Sequence, residues 1–261
     1  MSAWSAVHGI VARDLARTTR QTSRLLGGVA RPFMWLLLVG TGYGAIARLE
    51  DGIPYQAFVF PGIVMMAALF GGTLTAISTV YDREFGMLRL MLASPAGIPA
   101  ILCGRALAAT AVGTLQGGIV LAFAPAVLEV SLARWALAAG TLVGVSAMSA
   151  VLGLLVAARL RSVENFAGVI NVLLFPLLFL SGALYPTEGL PPVFRAISRA
   201  NPVTYGVDLL RHALGQVAEF PAWLGVAMLA GTTALCFAVT TLLFDPEQRL
   251  LAGRRRGSEG R

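Results

Sequence analysis

Compact groups of ionisable side chains are few in this chain. Asp82-Arg83-Glu84 stand together in one segment, and Asp208, Arg211 and His212 stand close together in another. A membrane enzyme acting on lipids would need such a cluster of acid, base or nucleophile near one membrane face. Neither set has the arrangement of a recognised catalytic motif. Cys103 and Cys236 lie in or beside apolar runs, without a Cys-x-x-Cys or a Cys/His cluster, so neither a zinc site nor a disulfide framework is supported. His8 and His212 stand apart, and no metal role follows from them. The chain contains no lysine, and all 20 of its basic residues are arginine. A P-loop grips phosphate with a lysine. Any ATP that drives this protein is therefore hydrolysed on another chain.

The elements that must position these residues are apolar. Hydrophobic residues make up 57% and charged residues 13%, with a mean hydropathy of +0.76. Soluble domains sit near about 45–50% and about 25%. A helix needs about 20 mainly apolar residues to cross a bilayer. Six such runs are read as spans: Val29–Ala47, Ala57–Ser78, Ala106–Leu128, Trp135–Ala158, Phe166–Tyr185 and Ala222–Phe244. The third and fourth are joined by Glu129–Arg134 and form a hairpin. The expected fold class is thus an all-α integral membrane protein of six transmembrane helices. Its organisation is a basic amphipathic helix over residues 1–28, a transmembrane domain over 29–244 and a basic tail over 245–261. The longest stretch between runs, 186–221, is too short for a domain of its own. Gly71-Gly72, Gly117-Gly118, Gly140 and Gly144 predict close helix approach inside the membrane.

Charge sets the orientation. With the N-terminus inside, the inner segments carry Arg13, Arg17, Arg20, Arg24, Arg31, Arg83, Arg89, Arg105, Arg159, Arg161, Arg249, Arg254, Arg255, Arg256 and Arg261. The outer segments carry Arg48, Arg134, Arg195, Arg199 and Arg211. That asymmetry follows the positive-inside rule and puts both termini in the cytoplasm. The net charge of +7 is accounted for by these flanks. No basic patch interleaved with aromatics suggests nucleic acid. In the first 26 residues, Val7, Val11, Leu15, Thr22 and Leu26 repeat at helical spacing, with Arg13, Arg17, Arg20 and Arg24 on nearly the opposite face. Such a helix lies along a membrane surface with its arginines near anionic headgroups.

Two loops carry more than a connection. Between spans two and three, the charged Asp82-Arg83-Glu84 is followed by Gly86, a short apolar helical pattern and Ser94-Pro95. Proline disfavours helix at the residue before it, so a helix over about 82–94 should stop there. A short, partly apolar helix exposed to the cytoplasm is a docking element for a soluble partner. After span five, prolines punctuate two short amphipathic helices, Pro192–Ala200 and about Val203–Leu214, within an outer segment over about 186–221. They are too short to span and are expected to re-enter or line the outer face.

This combination resembles the permease subunit of ABC exporters of the ABC-2 type, a group that exports drugs, lipo-oligosaccharides and polysaccharides. The coupling segment of that family reads like E…GTLE-L-…-SP, and this chain offers Glu84, Gly86, Met87-Leu88, Leu90 and Ser94-Pro95 in register. It departs at Met87 and Arg89, where the family often has Thr and Glu. The late family signature P…SG…P…P…NP-T is met by Pro176, Ser181-Gly182, Pro186, Pro191 or Pro192, and Asn201-Pro202-Val203-Thr204. The resemblance implies an ABC ATP-binding partner, a second permease subunit forming a homodimer, and a bacterial inner-membrane location. It implies no cofactor on this chain, because ATP is bound by the partner. It also implies that Asp82, Arg83 and Glu84 give polar contacts to the ATPase and that Met87, Leu88 and Met91 fill its apolar socket. Spans two and five would serve as dimer and path elements.

Polar groups within the spans are few. Gln116 and Asn171, in spans three and five, either line a path or bond helix to helix. No span has a central Asp or Glu. An ion-coupled transporter places an ionisable group there, so drive from outside the membrane is favoured.

Overall fold

The computed structural model describes residues 3–20, 22–44, 53–92 and 97–258, and within them every regular element is a helix. α1 (Ala3–Arg20) is followed by α2 (Thr22–Gly44), α3 (Tyr55–Thr75) and α4 (Ile77–Glu84). Then come α5 (Met87–Leu92), α6 (Ile98–Leu121), α7 (Ala124–Val127), α8 (Leu132–Arg159) and α9 (Val163–Phe179). α10 (Pro192–Ala200), α11 (Pro202–Leu214) and α12 (Ala222–Ser258) complete the chain.

α3 is the centre of the molecule, and its sequence is apolar all round. A helix with no polar face can be enclosed on every side, by other helices or by lipid. Residues from Val59 to Gly72 are all buried, wrapped by α2, α6, α8, α9 and α11. Small residues permit this: Gly72 lies against Ala150 and Ser149 of α8, and Gly71 against Gly113 of α6. Gly117 is likewise packed, against Leu142, whereas Gly118 and Gly140 meet nothing within 4 Å and do not serve the close approach expected of them. Along this stretch α3 is enclosed by helices of its own chain.

Among the described residues, four helical stretches are long and apolar enough to cross a membrane: Tyr55–Glu84, Ile98–Val127, Leu132–Arg159 and Ala222–Phe244. They correspond to expected spans two, three, four and six. Expected span one lies in α2, which carries Arg31 and Pro32 within its run; its last residues, 45–47, lie outside the described part. Expected span five is shorter than read. α9 ends after 17 residues at Phe179, and the chain turns through Ser181 and Gly182, whose φ is +76°. At the other boundary, α12 runs on as helix through the expected tail to Ser258.

Local signals explain the starts. Ser131 accepts the Arg134 N–H and opens α8; Ser162 does the same for Asn165 and opens α9. Asn201 accepts the Val203 N–H, and Pro202 sits where helix N–H groups have no partner. α10 and α11 thus fall where the prolines place them. α11 is buried from Val203 on except at His212, while the apolar residues of α10, Val193, Phe194 and Ile197, are exposed.

Candidate coupling site

One end of the bundle gathers α4, α5 and the ends of α8 and α12 with Arg13, Arg83 and Arg105. Sequence reading expects a single helix across Asp82–Leu92. The chain instead breaks in two. Phe85 closes α4 with its N–H on the Tyr81 carbonyl at 3.0 Å, Gly86 takes φ +76°, and α5 starts at Met87. Only glycine adopts that conformation without strain. The expected Ser94-Pro95 stop lies outside the described residues, as does the Arg89 side chain.

The break resets which side chains face out. On α5, Leu88 and Met91 are three residues apart and turn inward. Leu88 is buried with Ile10 of α1, Ile98, Ile101 and Leu102 of α6 and Phe244 of α12, and Met91 packs against the same cluster. Met87 and Leu90, also three apart, are exposed, and Phe85 is exposed beside them. The apolar surface offered to a partner is therefore Phe85, Met87 and Leu90. Leu88 serves the interior, which sequence periodicity alone could not tell because Gly86 changes the phase.

The three charged residues before the break are also used internally. Asp82 is buried, and its Oδ2 accepts from Arg105 Nη2 at 2.5 Å and from Arg13 Nη2 at 2.9 Å. Arg13 in turn holds Asp14 at 3.0 Å. Arg105 reaches Thr79 Oγ1 at 3.1 Å and Met91 Sδ at 3.4 Å. This network joins α1, α4, α5 and α6. Burial works against the charge on Arg13, yet the neighbouring Asp14 and Asp82 hold its pKa above the ordinary guanidinium value. The Arg83 guanidinium donates to the carbonyls of Ala157 and Leu160, at 2.7 and 2.8 Å, and stacks over Phe244. It thereby caps the end of α8. Glu84 is exposed and accepts the Val163 N–H at 3.3 Å. Asp82 and Arg83 are thus occupied within the chain, and Glu84 is the one of the three with an exposed side chain.

α1 lies against this end through a face that sequence spacing only partly reveals. Val7, Val11 and Leu15 are half-buried, and the buried positions are Ile10, Asp14 and Thr18. Asp14 turns inward because Arg13 and the cluster around Asp82 receive it.

Of the two polar residues within spans, Asn171 lies on an exposed face of α9 and bonds its own helix, Nδ2 to the Ala167 carbonyl at 2.9 Å. Gln116 is buried, and its Oε1 has no hydrogen-bond partner. The candidate enzyme cluster at the far end is taken up in structure. Asp208 accepts the N–H groups of Glu219 and Phe220 at 2.6 and 2.9 Å, Arg211 donates to the Gly182 carbonyl at 2.6 Å, and His212 meets the Phe220 carbonyl at 2.7 Å. Burial lowers the Arg211 pKa, with Asp208 and Glu219 opposing it.

Known proteins match this sequence. The profile of a family described as ABC-2 type transporter matches residues 6–214, which leaves α12 outside the match. Nodulation protein J of Rhizobium leguminosarum bv. trifolii is 32% identical over 191 residues, 72% of either chain. The putative transport permease ycf38 of Cyanophora paradoxa is 28% identical over 214 residues, 77% of this chain and 71% of that one. The inner membrane transport permease YadH of Escherichia coli K12 is 24% identical over 220 residues, 84% of this chain and 86% of its own.

Proposed function

From the premise that this chain belongs to the ABC-2 type transporter family, as a membrane permease, we propose that it forms the translocation path of an ATP-driven exporter. Family membership makes the chain a transport subunit and implies an ABC ATP-binding partner. The finer reading adds six spans with both termini in the cytoplasm of a bacterial inner membrane. It adds a second copy of this chain and a cargo that is lipid-like, a drug or a glycan. The exposed face of α9, with Asn171, Val172 and Leu173, is then the path or dimer element.

The observation that carries this reading is the exposed apolar patch Phe85, Met87 and Leu90 on a short helix whose other face is anchored in the bundle. A motion imposed on that patch is passed inward through Leu88 and Met91. It reaches α4, α1 and α6 through the shared carboxylate of Asp82. ATP binding closes the ATPase pair, α5 moves with it, and the permease pair opens outward. Such coupling requires two states of the membrane part that ATP binding biases.

The test is copurification. Tagged chain is coexpressed with candidate ABC ATP-binding subunits and purified in mild detergent. Wild type retains an active ATPase. Changing Met87 and Leu90 together to Asp releases it while the permease stays folded, and Glu84→Ala weakens it. A folded wild-type chain that retains none of the candidate subunits overturns the reading.

A further inference from the structure

A cavity of about 210 Å³ lies between α1, α2, α3 and α6, one helical turn from Asp14 and Thr79 of the coupling end. One water occupies about 30 Å³ of liquid, so the space suits a small polar group. Its lining is unusual for the interior of a membrane bundle. Arg31 of α2 contributes a guanidinium that lies over the Phe70 ring, 4.7 Å from its centre, and pairs with no carboxylate among the described residues. A cation in such a position marks a site for an anion.

The rest of the polar lining consists of acceptors. Gln116 is only 4% exposed, and its buried Oε1 has no partner. Gly28 and Gly71 make room for that amide; a Cβ at Gly71 would lie 2.6 Å from Oε1. Pro32 has no N–H, so the carbonyl of Gly28, four residues earlier, lacks its helical donor. Thr18 and Thr75 spend their hydroxyl protons on the carbonyls of Asp14 and Gly71, which leaves their oxygens as acceptors. Gly27, also part of the lining, is exposed.

We propose that this cavity binds a phosphate ester whose alcohol carries hydrogen-bond donors. The phosphate pairs with Arg31, and the hydroxyl or ammonium donors of the alcohol satisfy Gln116 and its neighbouring acceptors. A charge-assisted bond to phosphate is among the stronger polar contacts, and a buried acceptor without a donor costs free energy until one arrives. Headgroups of bilayer phospholipids have this chemistry, and so do soluble glycerol phosphates. The inference rests on the permease reading only in requiring a membrane; it needs no ATPase and no export.

The experiment is native mass spectrometry of the purified chain titrated with phosphatidylglycerol, phosphatidylethanolamine and phosphatidylcholine. The first two carry donors, and the third has the same phosphate without them. Phosphatidylglycerol and phosphatidylethanolamine should be retained about tenfold better than phosphatidylcholine, the effect of one good polar contact. Arg31→Gln should lower retention of all three by about tenfold or more, and Arg31→Lys should keep most of it. Gln116→Leu should bring phosphatidylglycerol down to the level of phosphatidylcholine. Added glycerol 1-phosphate names the source: displacement of bound lipid supports a soluble ester, and persistence of the lipid supports a headgroup site. Equal retention of phosphatidylcholine and phosphatidylglycerol by wild type overturns the proposal, even if the Arg31 variants do not fold. So does wild-type retention by a folded Arg31→Gln chain. Because no ATPase is present, these results fail or succeed apart from the copurification test.

Discussion

The two ends of the bundle are held by different chemistry. At the far end, side chains fasten backbone. Tyr55 donates to the Leu184 carbonyl at 2.7 Å, Asn201 to that of Leu177 at 2.6 Å, and Gln216 to that of Ala57 at 2.6 Å. The last of these has a direct cause. Pro61 cannot give Ala57 its helical hydrogen bond, and Gln216 supplies the missing donor. At the arginine-rich end Arg83 and Glu84 also reach backbone, but α1, α4 and α6 are joined side chain to side chain, charge to charge, through Asp82. A bond to a backbone carbonyl fixes one register. A carboxylate shared by arginines from two helices can keep its charge satisfied while those helices shift. The far end is held as a cap of backbone bonds, and the arginine-rich end as a set linked by charge.

The most severe way to break this contrast is at Asp82. Asp82→Ala leaves Arg105, whose side chain is 1% exposed, as a buried charge without its carboxylate. The expected loss is about 3–5 kcal/mol, read as a lower thermal unfolding temperature in detergent. A variant as stable as wild type would show that the arginine-rich end does not depend on the shared carboxylate. Next in size is Asp208→Ala at the cap. Two N–H groups lose their acceptor, at about 1–3 kcal/mol for each one left buried. Hydrogen exchange should rise at residues 215–221 and stay unchanged at α4 and α5; exchange rising at both ends would abolish the distinction between them. The smallest effect on stability is expected from Leu90→Ser, since an exposed position away from special features usually stays within about 0.5 kcal/mol. Leu88→Ser, on the inward side of the same helix, should destabilise by several-fold more, because the shorter polar side chain gives up core contacts. Equal effects at the two positions would mean that α5 is not anchored on one side.

The cap is legible in the sequence, and the coupling end only half so. Pro192, Asn201-Pro202 and Gly215 bracket α10 and α11, since prolines and caps act over a few residues. The hairpin around Glu129–Arg134 is legible for the same reason. Asp82 is different. Its partners stand 69 residues before it and 23 after it, and no local pattern reveals that a charged residue in a loop is bound indoors. The resemblance placed Leu88 with Met87 and Met91 toward a partner, and Leu88 is buried instead, because a single left-handed glycine rotates everything after it. The orphaned Gln116 amide is a property of packing between α2, α3 and α6, and spacing could say only that a polar group lay within a span.

The burial of α3 also sets the order in which the molecule can be finished during synthesis. α3 is made early, yet the helices that enclose it include α8, α9 and α11, and the donor for its Ala57 carbonyl is residue 216. Chains emerge N-terminus first. For most of translation, then, the most deeply enclosed span waits without its neighbours. Its uniform apolarity suits that interval, because lipid tails satisfy such a surface as well as other helices do. A polar substitution on α3 would therefore do its first harm before any tertiary structure exists, at the ribosome and the insertion machinery.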